Sequence, residues 1–132
     1  MPPLGPPNMT SVVLSYSTPG TRRRFGAFVT NADGMRLRGA EVDTPGLGHL
    51  FPASGDILTR FGLQDVSGLF EVHTLLELRA AEPLAQVPSD WWIALVGARL
   101  VTFEVAAAGP WLEGPAGTRT WTVAVLQEVR PS

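Results

Sequence analysis

The stretch from Asp90 to Leu126 constrains the fold of this chain more than any other. Asp90-Trp-Trp-Ile-Ala-Leu-Val96 and Arg99-Leu-Val-Thr-Phe-Glu-Val105 are apolar runs that meet at Gly97-Ala98, and Trp121-Thr-Val-Ala-Val-Leu126 follows a Gly/Pro-rich segment. Strand, tight turn, strand, loop and strand is the reading such a pattern requires. Val101, Phe103 and Val105 alternate on one predicted strand and Trp121, Val123 and Val125 on the next. Each set is expected to share a face and to be buried against the other. Trp91 and Trp92 are adjacent, so they must point to opposite faces, one toward a core and the other toward solvent or a partner.

The rest of the chain is punctuated by Gly and Pro at spacings too short for helices. Ser11–Tyr16 and Arg23–Thr30, separated by Thr18-Pro19-Gly20, read as a first hairpin. Asn31-Ala-Asp-Gly34 reads as a turn and Met35–Asp43 as a strand with one polar face. Thr44–Asp56 is so rich in Gly and Pro that a loop is expected, although it carries Leu47, Leu50 and Phe51. Ile57–Leu63 and Leu69–Thr74 read as strands around an Asp65–Gly68 turn. Leu75–Ala85 holds good helix formers up to Pro83, so one short helix is placed there. Ala106–Gly117, with Trp111, reads as another loop. The fold class expected is all-β: a small antiparallel β-barrel, or a sandwich-like barrel, with long loops and at most one short helix.

At 132 residues the chain fits one domain, and roughly 65–70% of the unfolded chain's surface can be buried at this size. Met1–Asn8 contains four of the twelve prolines, so residues 1–10 are expected to form a flexible arm and residues 11–132 a single barrel domain. The sequence has no cysteine, which removes disulfides, thiol catalysis and the common zinc frameworks. A formal charge of −2 gives no global pull toward nucleic acid. No run reaches the ~18–20 apolar residues of a membrane span, and the first ten residues lack the basic start and apolar stretch of a secretion signal. A soluble, non-exported protein is expected.

Candidate chemistry is sparse. Glu71 and His73 share one strand face at i, i+2, and with Asp90 they are the nearest approach to a catalytic group. Without a nucleophile or an oxyanion cradle, a solvent-exposed strand face is the better reading. His49 has no second ligand nearby in sequence, so no metal site is expected. Gly46-Leu47-Gly48 lacks the third glycine of a dinucleotide fingerprint, and no cofactor is expected. Arg22, Arg23 and Arg24 beside Phe25 and Phe28 could contact phosphates beside an aromatic platform, but three consecutive strand residues cannot all face one side. Candidate interface residues are Trp91, Trp92, Trp111, Leu47, Leu50, Phe51 and Arg22, Arg23 and Arg24.

Gly68-Leu-Phe-Glu-Val-His-Thr74, Leu76–Leu78, Asp90-Trp-Trp-Ile93, Gly97, Phe103-Glu-Val105, Trp111 and Trp121-Thr-Val-Ala-Val-Leu126 together resemble the small neck proteins of tailed-phage virions, the head–tail connector or head-closure (stopper) family. The Gly97–Phe103 gap is longer than that family's pattern, and the Pro-rich start has no counterpart in it. The resemblance implies a non-enzymatic β-barrel subunit located in the virion neck, and in the host cytoplasm before assembly. Such a subunit would form a homo-oligomeric ring between a portal or adaptor protein and a tail terminator or tail tube protein. It would close the head and retain packaged DNA, which it would touch only in passage or weakly, and it would contact no membrane. The Thr44–Asp56 loop is then the candidate for channel or portal docking. Two other readings remain: an OB-like module for single-stranded nucleic acid, and a small cellular protein-interaction domain. A small enzyme or ligand-binding barrel would need a pocket lined by Glu71, His73 and a Trp.

Overall fold

The computed structural model describes residues 17–63, 68–113 and 119–129. Six strands close an antiparallel barrel: β1 (Thr18–Phe25), β4 (Glu41–Pro52), β5 (Leu69–Thr74), β8 (Arg119–Glu128), β7 (Arg99–Glu113) and β6 (Trp91–Val96), in that order around the wall. A two-stranded ribbon of β2 (Val29–Thr30) and β3 (Arg36–Leu37) projects between β1 and β4. The only helix among the described residues is α1 (Gly55–Arg60). The fold is therefore the expected all-β antiparallel barrel, with one short helix among the described residues. The expected arm, residues 1–10, lies outside the described residues, as does Ser11–Tyr16.

A barrel of six strands has a narrow interior, and here one large side chain dominates it. Trp92 is 1% exposed, and the wall facing it is made of glycine. A Cβ on Gly20 would lie 2.6 Å from Trp92 Cε2 and 2.9 Å from Cη2, and closer still to Cζ2. A Cβ on Gly48 would lie 2.8 Å from Trp92 Cζ2 and 2.8 Å from Val72 Cγ2. At Gly46 the same position is taken by Leu76, 2.5 Å away. Glycine therefore belongs at these inward positions, where no side chain fits. Around the indole pack Val72, Leu78, Ala94, Val101, Phe103, Val105, Ala124 and Leu126.

This arrangement corrects three loop or turn assignments. Thr18-Pro-Gly20 lies inside β1, Thr44–Pro52 lies inside β4, and β7 continues through Pro110 to Glu113. Proline is tolerated because each of these sites is hydrogen-bonded on one side only. Pro19 precedes the β1–β6 pairing that begins at Gly20, and Pro45 precedes the β4–β5 pairing that begins at Gly48. Pro110 lies beyond the β6–β7 pairing, which ends at Glu104. Trp111 accordingly sits on a strand, opposite Trp121.

The first hairpin is likewise displaced: β2 pairs with β3, and the Asn31 side chain closes the turn by accepting from the amides of Asp33 and Met35, both at 2.9 Å. The expected Met35–Asp43 strand is broken where Gly39 crosses Gly26 at backbone contact.

The helix is also in a different place from the one expected. Ile57–Leu63, read as a strand, contains most of α1. Ser54 Oγ accepts from the Ile57 amide (3.3 Å) as N-cap, and Asp56 lies in the first turn. At the other end Gly62 takes φ +67 and the Leu63 amide bonds the Leu58 carbonyl at 2.8 Å, a Schellman stop. Leu75–Ala85 is not helical because other groups claim its backbone. Arg22 and Arg24 both donate to the Glu77 carbonyl (3.0 and 3.1 Å), and the Arg79 amide donates to Asp90 (2.8 Å).

The core pairing differs as well. Phe103 and Val105 are buried, as expected, but against Ala124 and Leu126; Val123 and Val125 face outward beneath Ile57 and Leu58 of α1. A bulge between Val105 and Ala107 shifts the register by one residue, and β8 is buried on both faces because α1 covers the outer one.

Candidate interaction surface

Strand parity divides the two adjacent tryptophans. Trp92 fills the barrel and offers no surface to a partner. Trp91 lies half-buried on the outside, edge-on to Phe25 (centroids 4.9 Å apart), with the Arg38 guanidinium 5.0 Å from its ring centre. Its indole N–H is buried without a hydrogen-bond acceptor among the described residues. The same outer face continues along the β6–β7 hairpin. Ile93 follows Trp91, then Leu95, which stands opposite Leu100 across the turn at Gly97 (φ +64). Leu95 and Leu100 are 62% and 66% exposed. Trp91, Ile93, Leu95 and Leu100 thus form an outward apolar stripe, with Glu104 and Thr102 as polar neighbours. Leu95 and Leu100 were absent from the residues expected at an interface. The signal for them was available: once Trp92 is inside, Leu95 must be outside.

The arginine run resolves by the same parity. Arg22 and Arg24 close one end of the barrel. Arg24 holds the wholly buried Asp90 in a two-pronged contact (3.1 and 2.9 Å), and Arg22 reaches Thr44 Oγ1 at 3.2 Å. The hydrogen bond to Asp90 raises the pKa of Arg24, whereas burial, aided by the neighbouring Arg24 charge, lowers that of Arg22. Arg23 faces the other way and forks onto Asp43 (2.9 and 3.1 Å), which draws that carboxyl below its usual value. The concave face combining Phe25, Phe28 and all three arginines, required for nucleic-acid binding, is not formed. Phe25 is buried against Trp91, and Phe28 lies under Arg36 at 4.0 Å.

Glu71 and His73 do share a strand face, but it is not exposed: they are 3% and 4% accessible. His73 Nε2 lies 2.9 Å from Glu71 Oε2, and Glu71 Oε1 accepts from the Ser54 amide at 2.7 Å. The pair therefore anchors the start of α1 to the barrel. Phe51 is half-buried and stacks on His73 (5.5 Å, 15°) and against His49 (4.6 Å). Burial, reinforced by His73 and opposed by Glu71, lowers the pKa of His49. A cleft of about 280 Å³ opens beside Phe51, Ser54, Asp56, Arg60, Glu71 and His73. Asp90 belongs to the opposite arrangement with Arg24, so the three residues do not converge. No group of three His, Asp or Glu side chains able to hold a metal ion occurs among the described residues.

Leu50 is half-buried against the main core, and Leu47 points out with 52% exposure. Leu47 borders an apolar groove of about 200 Å³ shared with Ser17, Gly46, Thr74, Leu75, Leu76 and Trp121. Among the described residues no helix is long and apolar enough to cross a membrane. Comparison with protein-family models and with curated proteins finds no match for this chain.

Proposed function

We propose that this chain is a structural, non-enzymatic subunit of a tailed-phage neck, a barrel that assembles as a ring between the portal or adaptor and the tail and helps to retain packaged DNA. The observation that carries the reading is the outward stripe Trp91–Ile93–Leu95–Leu100, half-buried at Trp91 and Ile93 and exposed at Leu95 and Leu100, which no further strand among the described residues covers. The resemblance of Gly68–Glu128 to neck proteins supplies the partner class. In a ring, each copy presents two different patches to its neighbours, and the stripe serves as one of them. Docking onto a symmetric template aligns the copies, so association is weak in the free chain and strong on the complex.

The nucleic-acid reading is weaker, because Arg22, Arg23 and Arg24 are all engaged within the chain. Light scattering and electron microscopy test the proposal, first on the purified chain and then on the chain mixed with the products of its neighbouring genes. A ring that forms on the mixture and is lost with Leu95→Asp/Leu100→Asp is expected. A chain that no neighbouring product recruits refutes the neck reading. Recruitment into a non-virion complex would favour a cellular interaction domain.

A further inference from the structure

We propose that the cleft between residues 75–82 and the β7–β8 wall binds a single carboxylate carried on an apolar body, with the carboxylate on the Arg79 guanidinium and the body on Leu75, Leu78 and Pro110. The cleft holds about 520 Å³, within the ~300–1,000 Å³ of small-ligand sites. Arg79 lines it, and the side chain makes no hydrogen bond or ion pair among the described residues; its Nε is buried without an acceptor. A buried donor left without an acceptor is costly. A carboxylate that accepts from Nε and one Nη side-on satisfies it with two charge-assisted bonds. The root of the arginine is fixed in advance: the Arg79 amide donates to Asp90 Oδ2 (2.8 Å), and the Arg79 carbonyl accepts from the Asp90 amide (2.9 Å). Less freedom is therefore lost when a ligand binds.

The lining selects the ligand. Leu75 is 58% exposed, and Leu78, Ala108 and Pro110 extend the apolar wall, so a bare anion would leave that surface in water. Glu77 and Glu82 also line the cleft. Glu77 lies against Arg24 (3.7 Å), and neither glutamate pairs with Arg79. Their charges repel a second anionic group, which disfavours a phosphodiester chain and leaves a place for one carboxylate. That group comes from a free amphipathic acid or from an acidic side chain within an apolar protein segment. The inference is independent of the neck reading, because it concerns a cleft remote from the outward stripe and is tested on the chain alone.

Calorimetry and proton–nitrogen NMR of the arginine Nε–H groups test this on the full-length chain, with octanoate, octanol, acetate and the blocked peptide acetyl-Leu-Glu-Leu-amide as probes. Octanoate or the peptide is expected to bind in the millimolar range or tighter and to shift the Arg79 Nε–H signal; whichever binds tighter identifies the source. Octanol and acetate, each lacking one half of the ligand, should bind about tenfold or more weakly. Arg79→Gln should weaken binding about tenfold or more, and Arg79→Lys, which keeps the charge and loses the fork, should not restore it. Because the Arg79 side chain has no partner among the described residues, the urea midpoint of Arg79→Gln should not fall. A lowered midpoint, octanol bound as tightly as octanoate, affinity unchanged in Arg79→Gln, or no binding of either carboxylate at ~10 mM overturns the proposal. So does tighter, Arg79-dependent binding of a DNA oligonucleotide, which would make the cleft a phosphate site.

Discussion

Replacing Gly20 by Ala should destabilise the protein through Trp92 and through little else. The backbone at Gly20 is not in the left-handed region, so alanine meets no conformational strain there. The added methyl would, however, lie 2.6 and 2.9 Å from two atoms of the indole, with a third closer. The ring has little freedom to retreat, since it is 1% exposed and enclosed by the core side chains. Overpacking a tight core costs about 1–3 kcal/mol. Against that, exchanging glycine for alanine gains ~0.4–1 kcal/mol by restricting the unfolded chain. A net loss of about 1–2 kcal/mol is expected. Trp92→Phe removes the part of the indole that the methyl strikes, so in that background Gly20→Ala should be neutral or stabilising. The double-mutant cycle should then show a coupling of about 1 kcal/mol or more. Urea unfolding followed by far-ultraviolet circular dichroism, with unchanged slopes, measures all four corners. An equal cost of Gly20→Ala in both backgrounds would refute the account of glycines as room for the tryptophan.

Phe103→Ala should cost roughly 3–5 kcal/mol in the same titration, the range for emptying a buried aromatic site; a loss under about 1 kcal/mol would place Phe103 outside the core. Asp90→Asn leaves the Arg24 guanidinium at the barrel end without its counter-charge. Because Arg24 keeps partial solvent contact, a loss of about 2–3 kcal/mol is expected, below the full cost of breaking a buried pair. Gly55→Ala, where an added methyl meets nothing within 4 Å, should stabilise by up to about 1 kcal/mol. The His49 pKa is lowered on folding, so its neutral form favours the native state. Its contribution is complete above the ordinary imidazole value near 6.5 and is lost as pH falls through that value toward the folded one. Urea midpoints at pH 7.5 and 5.5 should differ by less in His49→Asn than in the parent chain, and equal differences would remove His49 as a source.

Where the chain alternates cleanly, its structure is legible in sequence. Leu69–Thr74 and Trp91–Val96 are strands as read, and the turn at Gly97 is where two apolar runs meet. Reading fails where a residue's meaning is set by a distant part of the wall. Gly20, Gly46 and Gly48 look like loop punctuation, yet they are inward strand positions emptied to admit Trp92 and Leu76. Pro19, Pro45 and Pro110 look like breaks, yet each lies where its strand is paired on one side only. Helix α1 falls on Ile57 and Leu58 because Val123 and Val125 leave an apolar outer face to cover. The unbroken run Val123–Leu126 hinted at burial on both faces, but nothing local named the cover.

The same dependence governs the surface. Adjacency alone requires that one of Trp91 and Trp92 point outward, and it is symmetric between them. The glycines break the symmetry. Gly20 pairs with Ala94, and Gly20 and Gly48 both leave room beside the same edge of the indole, so the even-numbered face of β6 is the one with room for a tryptophan. Trp91, Ile93 and Leu95 must then face out, and the turn at Gly97 carries Leu100 to the same side. Two glycines far from the hairpin in sequence thus decide which side chains a partner can meet, so exposure of the apolar stripe and filling of the barrel are consequences of one packing choice.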